Sequence, residues 1–383
     1  MSDILATKYR PKKIGDMIGQ DHAVKILTNT IVTKNLHHSY IFAGKFGAGK
    51  TSAARIFAAS LNSPKGPTLE PDLSSPLVKA IFEGRALDVM EKDAASNRGI
   101  DEIRSLREEI MFAPIECRYR FVILDEAHAL TGQAADAALK MIEEPPPNTI
   151  FIFATTDPQK IVSTIHSRSM VIKFNRVHWS ALAEHLSSVA SSENISFDPD
   201  AMRIAAKMSQ GSVRNSLQNL QTMITFAGKN KITAEIANLS LQTVDDSKYF
   251  ELVDAIVGSD DGKPNAGNAY RVIDHLLGDG RDIGEVLDGF VSHLRNLLII
   301  CTSPTTAGLI NLTEEEKKRY IHQRQKLGKG ALASSFLVDM IDILAQCRRH
   351  IAVNMNPQTM LETFVVKSIL TFVDLQKQQA ASA

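Results

Sequence analysis

The stretch GKFGAGKT, residues 44–51, lies between a short apolar run, HSYIFAG (38–44), and a segment with apolar residues at helical spacing, KTSAARIFAASL (50–61). That juxtaposition leaves few folds open. A strand that ends in a glycine-rich turn and re-enters as a helix is the opening of an α/β unit, the context the pattern G-x-x-x-x-G-K-[ST] requires. Glycines permit backbone angles that turn successive N–H groups toward phosphate oxygens, and the helix N-terminus adds its dipole. Lys50 then reaches the β- and γ-phosphates of a nucleotide, and the Thr51 hydroxyl is placed for Mg²⁺. Gly44, Lys45, Phe46, Gly47, Ala48, Gly49 and Ser52 complete the cradle.

The alternation continues through residue 174. RALDVMEKD (85–93), YRFVILDEA (119–127), NTIFIFATT (148–156) and SMVIKF (169–174) read as strand regions, with IDEIRSLREEIMF (100–112) and AADAALKMIEE (134–144) as helices between them. Near-continuous apolar strands separated by helices predict a parallel sheet covered on both faces. NSPKGPTLEPDLSSP (62–76) has no period and reads as an exposed loop. After HWSALAEHL (178–186) the strands stop, and residues 199–228 read as helix, glycine break, helix. From 243 to 371 the period is helical throughout. The expected organisation is an α/β domain at 1–177, a small helical domain at 178–242, a larger helical domain at 243–371 and a flexible tail at 372–383.

With 43 basic and 43 acidic residues, the chain has no global electrostatic footprint for nucleic acid, so any such contact must be a local patch. Its three cysteines, Cys117, Cys301 and Cys347, are scattered, offer no CxxC spacing and suit a reducing compartment. The N-terminus lacks the apolar core of a signal peptide, and no apolar run approaches a membrane span. A cytoplasmic protein without a membrane partner is expected.

A phosphate loop needs a second metal partner and an activator of water. FVILDEAH (121–128) offers both carboxylates at the end of an apolar strand: Asp125 for Mg²⁺ and its water shell, Glu126 for the attacking water. His128 completes the letters DEAH, but no other helicase block follows. FATTDPQK (153–160) ends a further strand in hydroxyls, so that either Thr155 or Thr156 is available to the γ-phosphate or its water, or both are turn residues. By themselves Arg168, in TIHSRSM, reads as a solvated surface group and Arg214, one turn into a helix after a Gly-Ser break, as a helix-surface charge.

From KYRPKKIGDMIGQDHAVKIL (8–27) to GSVRNSLQ (211–218) the chain resembles the ATPase subunit of bacterial replicative clamp loaders, the γ/τ type of the DNA polymerase III holoenzyme, in the AAA+ superfamily. The blocks YRP, IGQ, GAGKT, DAASNRGIDEIR, LDEAHAL, ALKMIEEPP, FATTDPQKI, SR and GS-x-R follow in the family's order. The resemblance implies an AAA+ α/β domain, a helical lid and a helical collar. It makes Lys50 and Thr51 the Walker A pair, Asp125 and Glu126 the Walker B pair, Thr155 or Thr156 sensor 1, and Arg214 sensor 2. Arg168 becomes an arginine finger acting on the neighbouring subunit's ATP, and Tyr9, Arg10, Pro11, Ile18 and Gly19 line the adenine pocket. Where the family's motif ends in cysteine this chain has Ser169, a change that leaves the arginine in place.

The family carries a four-cysteine zinc module after the Walker A helix; residues 62–84 contain no cysteine, so zinc is not expected there. The missing module and the absence of a long tail after the collar suggest a short, divergent version, for which a phage genome is one origin. The implied function is to open a sliding clamp with ATP and Mg²⁺ and load it on primer–template DNA, within a homo- or hetero-pentamer. Helix N-termini at Asn97, Arg98 and Gly99, and at Thr131, Gly132 and Gln133, would meet DNA phosphates without reading sequence. By the same analogy the clamp-facing surface lies near 62–83. The competing readings are a branch-migration or initiator AAA+ ATPase, a non-catalytic scaffold, and a small-molecule kinase.

Overall fold

The computed structural model describes residues 4–96, 100–130, 132–241, 246–258, 263–278, 283–302, 312, 314–328, 331–353 and 355–382. It separates into two compact units, Met1–Leu241 and Gln242–Ala383.

In the first unit β1 (Ser39–Gly44), β2 (Val89–Asp93), β3 (Arg120–Asp125), β4 (Thr149–Thr155) and β5 (Met170–Phe174) form a parallel sheet in the order β2-β3-β4-β1-β5. Register pairs Ala43 with Thr155 and Gly44 with Phe174, which brings the C-terminal ends of the central strands to one edge. The unbroken apolar runs follow from burial on both faces. Tyr40, Phe42, Phe121 and Ile123 pack against the helices Asp21–Thr33, Lys50–Leu61 and Pro76–Glu83. The alternate residues Ile41, Val122, Leu124 and Phe153 face the helices Ile100–Ile110 and Gly132–Glu143. This is the α/β fold expected from the alternation.

Helices Trp179–Ser192, Pro199–Met208, Val213–Ala227 and Ala234–Ser240 hold a separate apolar core around Leu182, Leu186, Met202, Leu217 and Leu220. Leu5, from the short helix Leu5–Lys8, is buried in this core rather than against the sheet. Its backbone N–H donates to Gln221 Oε1 at 3.3 Å.

The second unit is helical in its described residues: Asp246–Val257, Ala266–Leu277, Ile283–Thr302, Glu314–Leu327, Ala331–Ala352 and Pro357–Ser382. Its core encloses a polar cluster. His293 Nε2 donates to Gln323 Oε1 at 3.1 Å, and the Tyr320 hydroxyl meets His293 Nδ1 at 3.0 Å. Burial pushes the imidazole pKa down to about 3, so it packs as a neutral ring. The stretch from 372, expected as a flexible tail, is instead helical and partly buried. The last helix runs on to Ser382, and Phe372 and Leu375 are buried, Phe372 against Phe336 at 5.4 Å between ring centroids. These two side chains extend the buried face that the same helix begins with Leu361, Phe364 and Val365.

Candidate functional site

The last residue of β1 is glycine because β5 passes too close for a side chain: a Cβ on Gly44 would collide with the Phe174 carbonyl. The loop then turns through Gly47 (φ +74°) and Gly49 (φ +98°), backbone angles that L side chains rarely adopt. A Cβ on Gly47 would also run into the Ser212 hydroxyl, so the helical cluster closes over this glycine. Lys50 opens the following helix, and its buried Nζ donates to the carbonyls of Gly44 at 2.8 Å and Lys45 at 3.3 Å. Burial lowers its pKa, against the opposing pull of Asp125 and Glu126.

At the end of β3, Asp125 accepts from Thr51 Oγ1 through Oδ2 and from the Glu126 N–H through Oδ1, both at 2.9 Å. Glu126 itself sits at φ +47°, in the left-handed region. These groups share a cleft of about 580 Å³ with Tyr9, Arg10, Pro11, Ile18, Gly47, Ala48, Gly49, Ser52 and Arg214. Six cationic side chains line it against three carboxylates, a balance suited to a polyanion. Arg214 follows the N-cap Ser212, whose Oγ accepts from Asn215 N–H at 3.2 Å, and its guanidinium lies 5.4 Å from the centroid of the Phe46 ring. Burial lowers the Arg10 pKa, as do the charges of Arg55 and Arg214, while Glu91 opposes them. The Tyr9 hydroxyl donates to Glu193 Oε1 at 2.5 Å, a hydrogen bond that raises its pKa and ties the cleft's N-terminal wall to the helix above.

Not every expected residue reaches this cleft. Gly19 is absent from its lining; at φ +64° it makes a turn where a Cβ would crowd Val177 Cγ1 at 2.9 Å. Gly44, Lys45 and Thr156 line a neighbouring concavity instead. Thr155 is buried, its Oγ1 accepting from Asp157 N–H at 3.0 Å and lying 3.0 Å from His128 Nδ1. Thr156 Oγ1 donates to Glu126 Oε2 at 3.2 Å. Arg168 is exposed away from the cleft, 3.1 Å from Glu143 Oε1 and donating to the Thr164 carbonyl at 3.2 Å. Gly132 and Gln133 begin the exposed end of the helix Gly132–Glu143. Asn97, Arg98, Gly99 and Thr131 lie outside the described residues.

Three features escaped sequence reasoning. His128, set aside with the letters DEAH, touches both Thr155 and Glu126. His185 lines the cleft with its Nε2 lacking a hydrogen-bond partner, and burial lowers its pKa. Met111, Phe112, Ile115 and Leu87 are exposed apolar side chains, and the Ile115 N–H donates to Asp88, which brings that loop beside the residue after Leu87. The run IMFAPI carried that last signal, but helical spacing absorbed its first residues into the helix, which stops at Ile110.

A family model described as DNA polymerase III, delta subunit, matches residues 19–178. The chain is 33% identical over 359 residues to DNA polymerase III subunit tau of Bacillus subtilis, covering 94% of this chain and 62% of that one. It is 36% identical over 253 residues to the tau/gamma subunit of Haemophilus influenzae, covering 66% and 37% respectively. The chain thus spans about three fifths or less of the length of these relatives. Among solved structures, the RuvB Holliday junction branch migration motor of Thermotoga maritima aligns with TM-score 0.49 and 18% identity over 76% of this chain and 91% of that one.

Proposed function

The chain is a homologue of the DNA polymerase III tau/gamma subunits over most of its length, in the clamp-loader ATPase family, and from that premise we propose that it binds and hydrolyses ATP to open a sliding clamp and load it on primer–template DNA. The observation that carries the proposal is the convergence of Lys50, Thr51, Asp125 and Glu126 on one cationic cleft. Lys50 donates to two loop carbonyls, partners that a phosphate can replace without leaving the ammonium bare. The paired Thr51 hydroxyl and Asp125 carboxylate are hard oxygen donors that fit Mg²⁺, which when bound neutralises charge on the phosphates. Glu126 stands beside them as the base that polarises water, and Arg214 reaches the phosphates from above.

Arg168, outside its own cleft, completes a neighbour's site, so that hydrolysis reports assembly into a pentamer of this chain alone or with other loader subunits. In this reading residues 1–177 are the ATPase domain, 178–242 its lid and 243–371 the collar, and Gly132 and Gln133 belong to the DNA-facing side. The apolar corner at Leu87, Met111, Phe112 and Ile115 is the surface on offer to a protein partner. Among the described residues no single helix is long and apolar enough to cross a membrane, and the proposed place of action is the bacterial cytoplasm.

The test is ATP turnover of the purified chain with and without primed DNA and a candidate clamp, alongside its mass in solution. Turnover stimulated by both, in a pentamer, is the expected result. A closed hexamer indifferent to the clamp would favour a branch-migration motor, and the absence of any ATPase activity would leave a scaffold.

A further inference from the structure

One side chain at the site has no part in that chemistry. His128 lies two residues beyond Glu126, on the single turn Ala127–Ala129. Its Nδ1 is 3.0 Å from Thr155 Oγ1 and 3.2 Å from Glu126 Oε2. The same carboxylate oxygen accepts from Thr156 Oγ1 at 3.2 Å. Thr155 is in turn fixed by the Asp157 N–H at 3.0 Å. One described hydrogen bond thus reaches the Glu126 side chain, from Thr156 to Oε2, and the His128 ring stands 3.2 Å from that same oxygen while bonded to Thr155. A carboxylate beside the ring nitrogen selects the tautomer that carries its proton on Nδ1, since a bare nitrogen would set lone pair against lone pair.

We infer that His128 is a positioning residue for Glu126: the Thr156 hydroxyl bonds Oε2, and the His128 ring, anchored through Nδ1 to Thr155 and 3.2 Å from the same oxygen, keeps it at the end of β4, so that Oε1 is the oxygen turned to the cleft. The inference rests on the reading of Glu126 as the base. Several features favour this role over simple packing. The His128 side chain is 24% exposed, so it is not enclosed in the interior. It links two strand ends, standing beside Glu126 after β3 and bonded to Thr155 of β4, and Glu126 itself occupies a left-handed backbone position. A base held within hydrogen-bond reach of its water is worth far more than one that samples several rotamers.

The experiment compares His128→Leu, His128→Gln and His128→Asn in the full chain, alone and combined with Glu126→Gln. Single-turnover hydrolysis, ATP affinity and thermal melting are read for each. An asparagine amide N–H sits near the position of Nδ1, whereas a glutamine amide sits near Nε2. Leu and Gln are expected to lower kcat by about 10–100-fold, as the loss of an outer support does elsewhere, with ATP affinity and melting unchanged. Asn restores most of the lost turnover, and His128→Leu adds nothing once Glu126 is already Gln. Equal losses in Leu and Asn, a loss carried by ATP affinity or melting, an additive loss on Glu126→Gln, or no loss at all would each overturn the assignment. Failure of the unmodified chain to hydrolyse ATP would instead bring down the ATPase reading and this inference with it; normal turnover with indifferent variants sinks the His128 assignment alone.

Discussion

The two ends of the first unit's sheet each bring together carboxylates and cations, and they use them in opposite ways. Where β2 and β3 begin, Asp88 is fully buried and accepts from the N–H groups of Ile115, Glu116 and Cys117 and from Arg120 at 2.9 Å. Arg120 also donates to the carbonyls of Phe112 and Ala113, leaving Nε as its one buried nitrogen without a partner. Where β1 and β3 end, Lys50 holds only loop carbonyls, Asp125 a hydroxyl and a backbone N–H, and Glu126 hydrogen-bonds through one oxygen. The first arrangement is closed: its groups answer one another and pin the loop that displays Phe112 and Ile115. The second is open, with charges turned toward a cleft. Residue type does not distinguish the two; the partners do.

The sharpest test of the open side is Arg168→Ala. DNA-stimulated hydrolysis is expected to fall by roughly 10³–10⁵, the worth of an arginine finger in related phosphoryl transfer. Stability should not change, because the Arg168–Glu143 pair is exposed on both sides and such pairs contribute about 0–1 kcal/mol. Turnover at the unmodified rate would end the trans-acting role and leave Arg168 a surface charge.

Asp88→Ala tests the closed side. It strands a buried guanidinium and three N–H groups, so a loss of about 3–5 kcal/mol in denaturant unfolding is expected, with ATP affinity intact in the folded fraction. A protein of unchanged stability and lost ATP affinity would reverse the comparison. Acid gives a gentler version. Burial raises the Asp88 pKa, but the backbone N–H groups and Arg120 outweigh it and hold the carboxyl below its ordinary value. Its contribution is therefore present above the usual aspartate range and lost as pH falls through the lowered folded value, which an unfolding series across that range would register.

The smallest effect on stability belongs to Phe112→Ser with Ile115→Ser. Both side chains are exposed, so unfolding should shift by no more than about 0.5 kcal/mol per site. Basal ATP turnover should hold while stimulation by a clamp declines; undiminished clamp stimulation would deny the corner its docking role.

Much of this site is legible in the sequence alone. The phosphate loop, the strand ending in Asp125–Glu126 and the alternation around them depend on local periodicity and on glycine's backbone freedom, properties a short window of sequence contains. His128 was visible but uninterpretable, because its partner Thr155 lies 27 residues away on another strand. Gly19, expected in an adenine wall, makes a turn packed close to Val177, a proximity across more than 150 residues that local sequence does not contain. The Phe372–Leu375 segment reads as tail in sequence because the polarity that follows it outweighs two side chains whose burial depends on distant helices.

The order of elements, the parallel sheet and the types of residue that line the cleft are thus determined by the chain's own pattern, since periodicity decides which faces must be covered and glycine decides where the backbone can turn. Which carboxylate is closed and which stays open, and which oxygen of Glu126 is left for the cleft, was decided only in the tertiary structure. Satisfaction of a polar group is a property of the groups around it, and those arrive from strands far apart in sequence.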